Sequence, residues 1–427
     1  MNHPFSTLSV RRGKMKKKIL LVAVMALLVV SAFAGKVTIW SWRTQDAEVW
    51  QKIEALLKSR GQDITIEFTA YAPTEYDSKV NLALQTGTGP DIVYSRRLPG
   101  GRTQVLIENG LYLPISDHVD LTYFPQASLN SVTWENKVYG VPFAVQVVGI
   151  YYNKDYYDQF DLKEPTTWDE LVANAEVLKK NGIDPFFVSG KEAWTLTMQH
   201  AMVGVSILGP EWIKDLTEGK TNFLDPKFTD VNKRLNDLKI YYQNGFMGNS
   251  SVDQDASFAF GQTAMVFYGV WGYQTWKQLN PDINVGYFMV PPITTDQKPY
   301  AYTYLDGAIA LTSNVKNMED SIEILKFCAT PEFGTIFAGV TYNIPAVTGS
   351  TLPPDPVLQE ALEVYSNHAS PYVYWVGSVF TTQKPSLYDD VLSPGMQEMY
   401  AGKLTPEGLS KMAQDAISQW YPPLMNK

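Results

Sequence analysis

Alternation between two hydrophobic periods is the strongest constraint in this sequence. KVTIW, from Lys36, sets apolar and polar residues by turns, as a strand does. DAEVWQKIEALLKSRG then switches to a helical period that places Val49, Ile53, Leu56 and Leu57 on one face. DITIEF alternates again with Ile64, Ile66 and Phe68 to one side, EYDSKVNLALQ returns to the helical period, TGTGP makes a turn, and DIVY reads as a third strand. A strand-helix series of this kind folds as α/β with a largely parallel sheet.

The 427 residues are more than one ordinary core holds, and the chain divides more naturally into two domains. A second α/β region begins after Tyr152. Thr167 with Glu170 is a capping-box pattern, and Leu171, Ala175 and Leu178 form the buried stripe of a helix that ends at Asn181 and Gly182. GAIALTS is a strand, NMEDSIEILKFCAT a helix capped by Asn317, and TPEGLSKMAQDAISQW a last helix with Thr405 as cap and Pro406 at its first position.

Residues 1–34 have the pattern of a signal peptide with an upstream extension. Lys16, Lys17 and Lys18 precede an apolar run from Ile19 to Val30, and Ala32, Phe33 and Ala34 make a small-x-small cleavage site, so the mature chain is expected to start near Gly35. Met15 is the more sensible initiator, and Arg11 with Arg12 offers a twin-arginine alternative. The run is shorter than the roughly 20 residues a bilayer requires, no later run reaches that length, and no cysteine follows it to take a lipid. The expectation is a soluble periplasmic or extracellular protein without a transmembrane anchor. Its single cysteine, Cys328, sits among apolar residues at helical spacing and reads as a buried small hydrophobe.

The whole chain carries a formal charge of −9, and residues 1–34 hold six Lys or Arg and no acids, so the mature chain carries −9 − 6 = −15. Such a balance disfavours nucleic acid and anionic membrane surfaces and leaves small molecules or proteins as partners.

No CxxC, HExxH or GxxxxGK[ST] occurs, and TGTGPD lacks the third glycine and following helix of a dinucleotide fingerprint. His118, His200 and His368 share no metal-ligand spacing, and GVSILG, Gly204 to Gly209, misses the serine-nucleophile elbow by one residue. No catalytic residue, metal or cofactor is therefore expected, although two facing carboxylates for glycoside cleavage would leave no sequence signature.

TGTGPDIVYS, YGVPFAVQVVGIYYNKDYYDQF, PTTWDELVANAEVLKK, GQTAMVFYGVW and GAIALTSNVKNMEDSIEILKFCATPEF follow one another in order along the chain. In this order they resemble the extracellular solute-binding proteins of ABC importers, within the large sugar-binding family 1 that includes maltodextrin-binding protein. The resemblance implies a two-lobed periplasmic binding protein type II fold with discontinuous domains: residues 35–146 with 291–345 as one lobe, and 147–290 with 346–427 as the other. Chain crossings would fall near Gln146 to Ile150, near Phe288 to Pro292 and after Pro345. It further implies a monomer that is no enzyme, closes on a mono- or oligosaccharide and delivers it to membrane permease subunits.

Ligands of open α/β sheets bind beyond the carboxyl ends of the strands, which brings forward Trp42, Arg43 and Gln45 after the first strand and Ser95 and Arg96 after the third. Sugars stack C–H faces on aromatic rings and need forked or amide partners for their hydroxyls. By the resemblance, Trp271 stands where relatives stack a ring on a pyranose, and Trp194 and Trp375 match ring-bearing positions of the second lobe. Gln146 replaces an acid of the maltodextrin binders, and Ser95 replaces a tryptophan. Asp306 and Asn343 are strand-end or hinge residues placed to bond hydroxyls. Arg43, Arg96, Arg97 and Arg102 in first-lobe loops leave an acidic sugar open beside permease contact. Polysaccharide cleavage and a peptide, polyamine or anion ligand stay as alternatives.

Overall fold

The computed structural model describes Met1 and residues 35–425, so the expected export segment, Met1 aside, lies outside the described residues. Among the described residues, thirteen strands follow in chain order. They are β1 (Gly35–Ser41), β2 (Ile64–Ala70), β3 (Ile92–Ser95), the hairpin β4 (Thr133–Trp134) and β5 (Lys137–Val138), β6 (Val141–Pro142) and β7 (Ala144–Asn153), then β8 (Asp184–Phe187), β9 (Thr263–Gly269), β10 (Val285–Phe288), β11 (Thr303–Leu305), β12 (Ala308–Leu311) and β13 (Ile344–Pro345).

The alternating start of the chain forms the first sheet, in the order β2-β1-β3-β12-β6. β1 is parallel to both β2 and β3, with Gly35 opposite Ile64 and Ile39 opposite Ile92. β12 then closes the sheet antiparallel to β3 and β6. The helix Ala47–Ser59 covers it with Val49, Trp50, Ile53 and Leu57, so the buried stripe runs through Trp50 where the sequence pattern had placed Leu56. A second sheet has the order β10-β7-β9-β8. Its helix Trp168–Lys180 has the expected capping box, Thr167 accepting from the Glu170 backbone, and buries Leu171, Ala175 and Leu178.

β7 links the two. All ten of its residues are buried. Its first half, Ala144–Val147, pairs with β13 and β11, and its second half, Val148–Asn153, pairs with β9 and β10. The hydrophobic core divides at the same strand: one cluster runs from Val37 to Ala144 and resumes from Leu305 to Val347, and the other takes Val145 to Tyr302 and Val357 to Leu424, with Ile344 from β13. Val290, Ala301 and Tyr302 belong to the second cluster, so packing changes sides between Tyr302 and Leu305, later than the sequence expectation near Phe288 to Pro292.

Close packing along β7 requires a glycine at one point. A Cβ on Gly149 would stand 2.7 Å from the ring of Tyr287, and Tyr287, 1% exposed, has no room to withdraw. Overpacking of this kind costs about 1–3 kcal/mol. Gly149→Ala is therefore expected to lower the unfolding free energy by about that amount, measured by urea denaturation.

Candidate functional site

The loop after β1 leads into the centre of the molecule. Arg43, 3% exposed, donates from Nε to Asp46 Oδ2 at 2.8 Å, from Nη1 to Asp306 Oδ2 at 2.9 Å and from Nη2 to Asn343 Oδ1 at 3.5 Å. Gln146, the third residue of β7, donates from Nε2 to the same Asp306 oxygen at 2.9 Å and to Asn343 Oδ1 at 3.0 Å. Burial works against the Arg43 charge, and Asp46 and Asp306 more than offset it, so the guanidinium holds its proton more firmly than usual. The Arg43, Gln146, Asp306 and Asn343 side chains thus bond one another, and this junction gathers the loop after β1, the middle of the chain, the β11–β12 corner and the residue before β13. Asp46 Oδ1 and Gln146 Oε1 are buried there without a partner.

Three rings stand together on the second sheet. Trp194 opens the buried helix Ala193–Thr217 as its second residue, and Trp271 begins the helix Trp271–Leu279 directly after β9. Tyr268 of β9 lies 5.0 Å from Trp271 and 6.3 Å from Trp194 between ring centroids, and the two tryptophans are 6.4 Å apart. Trp271 folds back over Gly269, where any Cβ would fall within its ring. Both tryptophans stay partly exposed. Glu192 accepts from Trp194 Nε1 at 2.7 Å. Asp255 accepts from Trp276 Nε1 at 2.7 Å, and burial, with Glu192 nearby, pushes its carboxyl up to about 7.

Trp42 is buried among Tyr76, Tyr94 and Phe143 with the Arg96 guanidinium 3.7 Å from its ring centroid. Ser95 is buried and donates to the Ala308 carbonyl. Arg96 forks onto Asp77 at 3.1 and 3.3 Å. Arg97 and Arg102 reach the other core: Arg97 lies 4.2 Å from the Tyr304 ring centroid and donates to the Val376 carbonyl at 2.8 Å, and Arg102 joins Asp77 to Asp389 at 3.0 and 2.8 Å. Trp375, 5% exposed, packs on Tyr302, Tyr304 and Tyr388 and keeps its indole N–H without an acceptor.

Gln45 is placed apart from these. It lines a cavity of about 650 Å³ between the start of the helix Ala47–Ser59 and the helix Trp271–Leu279, where Gln51, Gln274 and Gln278 face the same space. Sequence reasoning missed Gln274 and Gln278, although they follow Trp271 at i+3 and i+7 and so share its helix face.

The serine of GVSILG and one histidine weighed as a metal ligand are held within the second core. Ser206 lies in a buried helix and donates to the Val290 carbonyl at 2.7 Å. His200 is lowered to about 4 by burial and sits between Asn232 and Tyr374.

A family model described as bacterial extracellular solute-binding protein matches residues 40–334, more than half of the chain. The chain belongs to this family. Among curated relatives, the multiple sugar-binding protein of Streptococcus mutans is 27% identical to this solute-binding protein over 228 residues, 52% of this chain and 54% of the relative. The chain thus spans about half the length of that relative. Among solved structures, a chitin oligosaccharide binding protein aligns at a TM-score of 0.76 and 25% identity over 91% of this chain and 99% of that one. A solute-binding protein in complex with raffinose aligns at a TM-score of 0.74 and 20% identity, over 91% and 99%. The fold is that of two-lobed solute-binding proteins.

Two consequences follow for this family member. Arg43→Ala leaves Asp46 and Asp306 buried without their cation, and breaking a buried pair costs about 3–5 kcal/mol, a loss expected in chemical denaturation. Asp255 binds its proton more tightly in the folded chain than at its ordinary value of 3.8, so its contribution to stability is full below about pH 4 and lost as pH rises towards about 7. In denaturation run across that window, Asp255→Asn is expected to gain on the parent steadily from the acid side, and a constant difference would refute the assignment.

Proposed function

We propose that this solute-binding protein captures a carbohydrate in the cleft between its lobes and delivers it to the permease of an ABC importer. The observation that carries the reading is the pair of partly exposed rings Trp194 and Trp271, set against the buried Tyr268 in a wall that continues through Gln274 and Gln278 on the helix Trp271 begins. A pyranose offers C–H faces to rings and hydroxyls to amides, and such a wall suits both. The multiple sugar-binding, chitin oligosaccharide and raffinose-bound proteins to which the chain is similar support the same class of ligand.

In this reading Trp271, Trp194 and Gln45 touch the sugar, and Asp306, 12% exposed, presents an edge to it from the cleft floor. Arg43, Gln146 and Asn343 hold the floor, and Trp42 and Ser95 back the first wall. Lobes of 35–144 with 303–347 and 145–302 with 348–425 close about the junction at Arg43, and ligand stabilises the closed state because only there do both walls touch it. Export through residues 1–34 and action as a monomer belong to the same proposal.

A ligand that binds only the native state raises its melting temperature, by about 2.7 kcal/mol of stabilisation at a hundredfold excess over the dissociation constant. A thermal-shift screen of residues 35–427 against neutral sugars, uronides, peptides and polyamines is expected to show a rise with a neutral sugar and loss of that rise in Trp271→Ala. A rise with peptides or polyamines alone would refute the carbohydrate reading.

A further inference from the structure

The cavity lined by Gln45, Gln51, Gln274 and Gln278 has a volume of about 650 Å³, well beyond what one six-membered ring fills and inside the range of about 300–1,000 Å³ found for small-molecule sites. Its walls come from both lobes. Four amides each offer an acceptor and two donors, and the one cation and one anion there, Lys52 and Glu48, are paired with each other at 2.9 Å. Gln274 is only 4% exposed, and its Oε1 is buried without a hydrogen-bond partner. A buried carbonyl oxygen left this way costs about 1–3 kcal/mol, a cost that a hydroxyl donated by a guest would remove. Trp271, Gln274 and Gln278 lie at i, i+3 and i+7 on one helix, so the ring and the amides run in line along one face.

The charge of the guest is limited by the arginines. Arg43 is bound to Asp46 and Asp306, Arg96 to Asp77, Arg97 to the Val376 carbonyl, and Arg102 to Asp77 and Asp389. Each guanidinium near the cleft already has an acceptor within the protein, and a uronide carboxylate would have to displace one.

Resting on the carbohydrate reading above, we infer that the ligand is a neutral oligosaccharide. One unit stacks at Trp271, and the following units lie in the amide-lined cavity with their hydroxyls on Gln45, Gln274 and Gln278. This makes the three glutamines the residues that read ligand length.

Calorimetric titration of residues 35–427 tests it with two neutral series, N-acetylglucosamine to chitotriose and galactose through melibiose to raffinose, beside galacturonic acid and its trimer. In the series that binds, the trisaccharide is expected to bind at least about tenfold more tightly than its monosaccharide, equivalent to about 1.4 kcal/mol. Gln274→Ala is expected to cut that ratio to about threefold or less, and Gln274→Glu, which keeps the acceptor, to restore part of it. Gln278→Ala makes the same comparison at an exposed position that folding does not depend on. Equal affinity for one and three units, an equal loss at every length in the variants, or tighter binding of a uronide would overturn this inference and leave carbohydrate binding standing. No heat with any of these saccharides would overturn both.

Discussion

One guanidinium holds the middle of this molecule. Arg43 and Gln146 together bind Asp306 and Asn343, and those four side chains come from four separate stretches of sequence. In a low-dielectric interior an arginine with two carboxylates is stable only where geometry and further hydrogen bonds are both supplied. Here most of that supply is present: amide donors from Gln146 share the acceptors, Tyr94 donates to Asp46 at 2.9 Å, and the Phe143 and Phe337 rings flank the cation, each centroid 5.6 Å away, while Asp46 Oδ1 and Gln146 Oε1 stay without a partner. Removing Arg43 would leave Asp46 and Asp306 buried without their cation, so the four stretches of chain are tied together chiefly through this one guanidinium.

What surrounds this junction is free to differ on its two sides. The first wall is stiffened from behind, with Trp42 pressed among Tyr76, Tyr94 and Phe143 and covered by Arg96. The second wall carries two tryptophans that remain partly exposed, Trp271 being seated across Gly269. Arg97 and Arg102 join the walls at the rim through a backbone carbonyl and a carboxylate of the C-terminal stretch. Those contacts are partly exposed and screened, worth about 0–1 kcal/mol for the Arg102–Asp389 pair, far less than the buried junction.

The sequence showed the framework more readily than the cleft. Strand and helix periods were legible because burial imposes them residue by residue, and the caps at Thr167, Asn317 and Thr405 stand where side-chain oxygens meet free backbone N–H groups. The expected second crossing near Phe288 to Pro292 precedes the change of core cluster between Tyr302 and Leu305, because no named strand lies between Phe288 and Thr303 and no periodicity marks where such a stretch changes partners. The direction of Arg43 was hidden as well. A loop position beyond a strand end predicts access to a ligand, but its partners Asp306 and Asn343 are 263 and 300 residues away in the chain. Gln274 had a local signal in its spacing from Trp271, yet only packing of the two lobes gave that helix face something to face.

Cys328 lies in the helix Met318–Cys328, fully buried, and burial pushes its thiol well above the usual range. A thiol without thiolate character and without access reacts slowly with any alkylating reagent. The chain therefore comes with a silent background for labelling: a pair of cysteines introduced on the outer surfaces of the two lobes would take up fluorophores alone, and the distance between the dyes would report whether the proposed closure occurs.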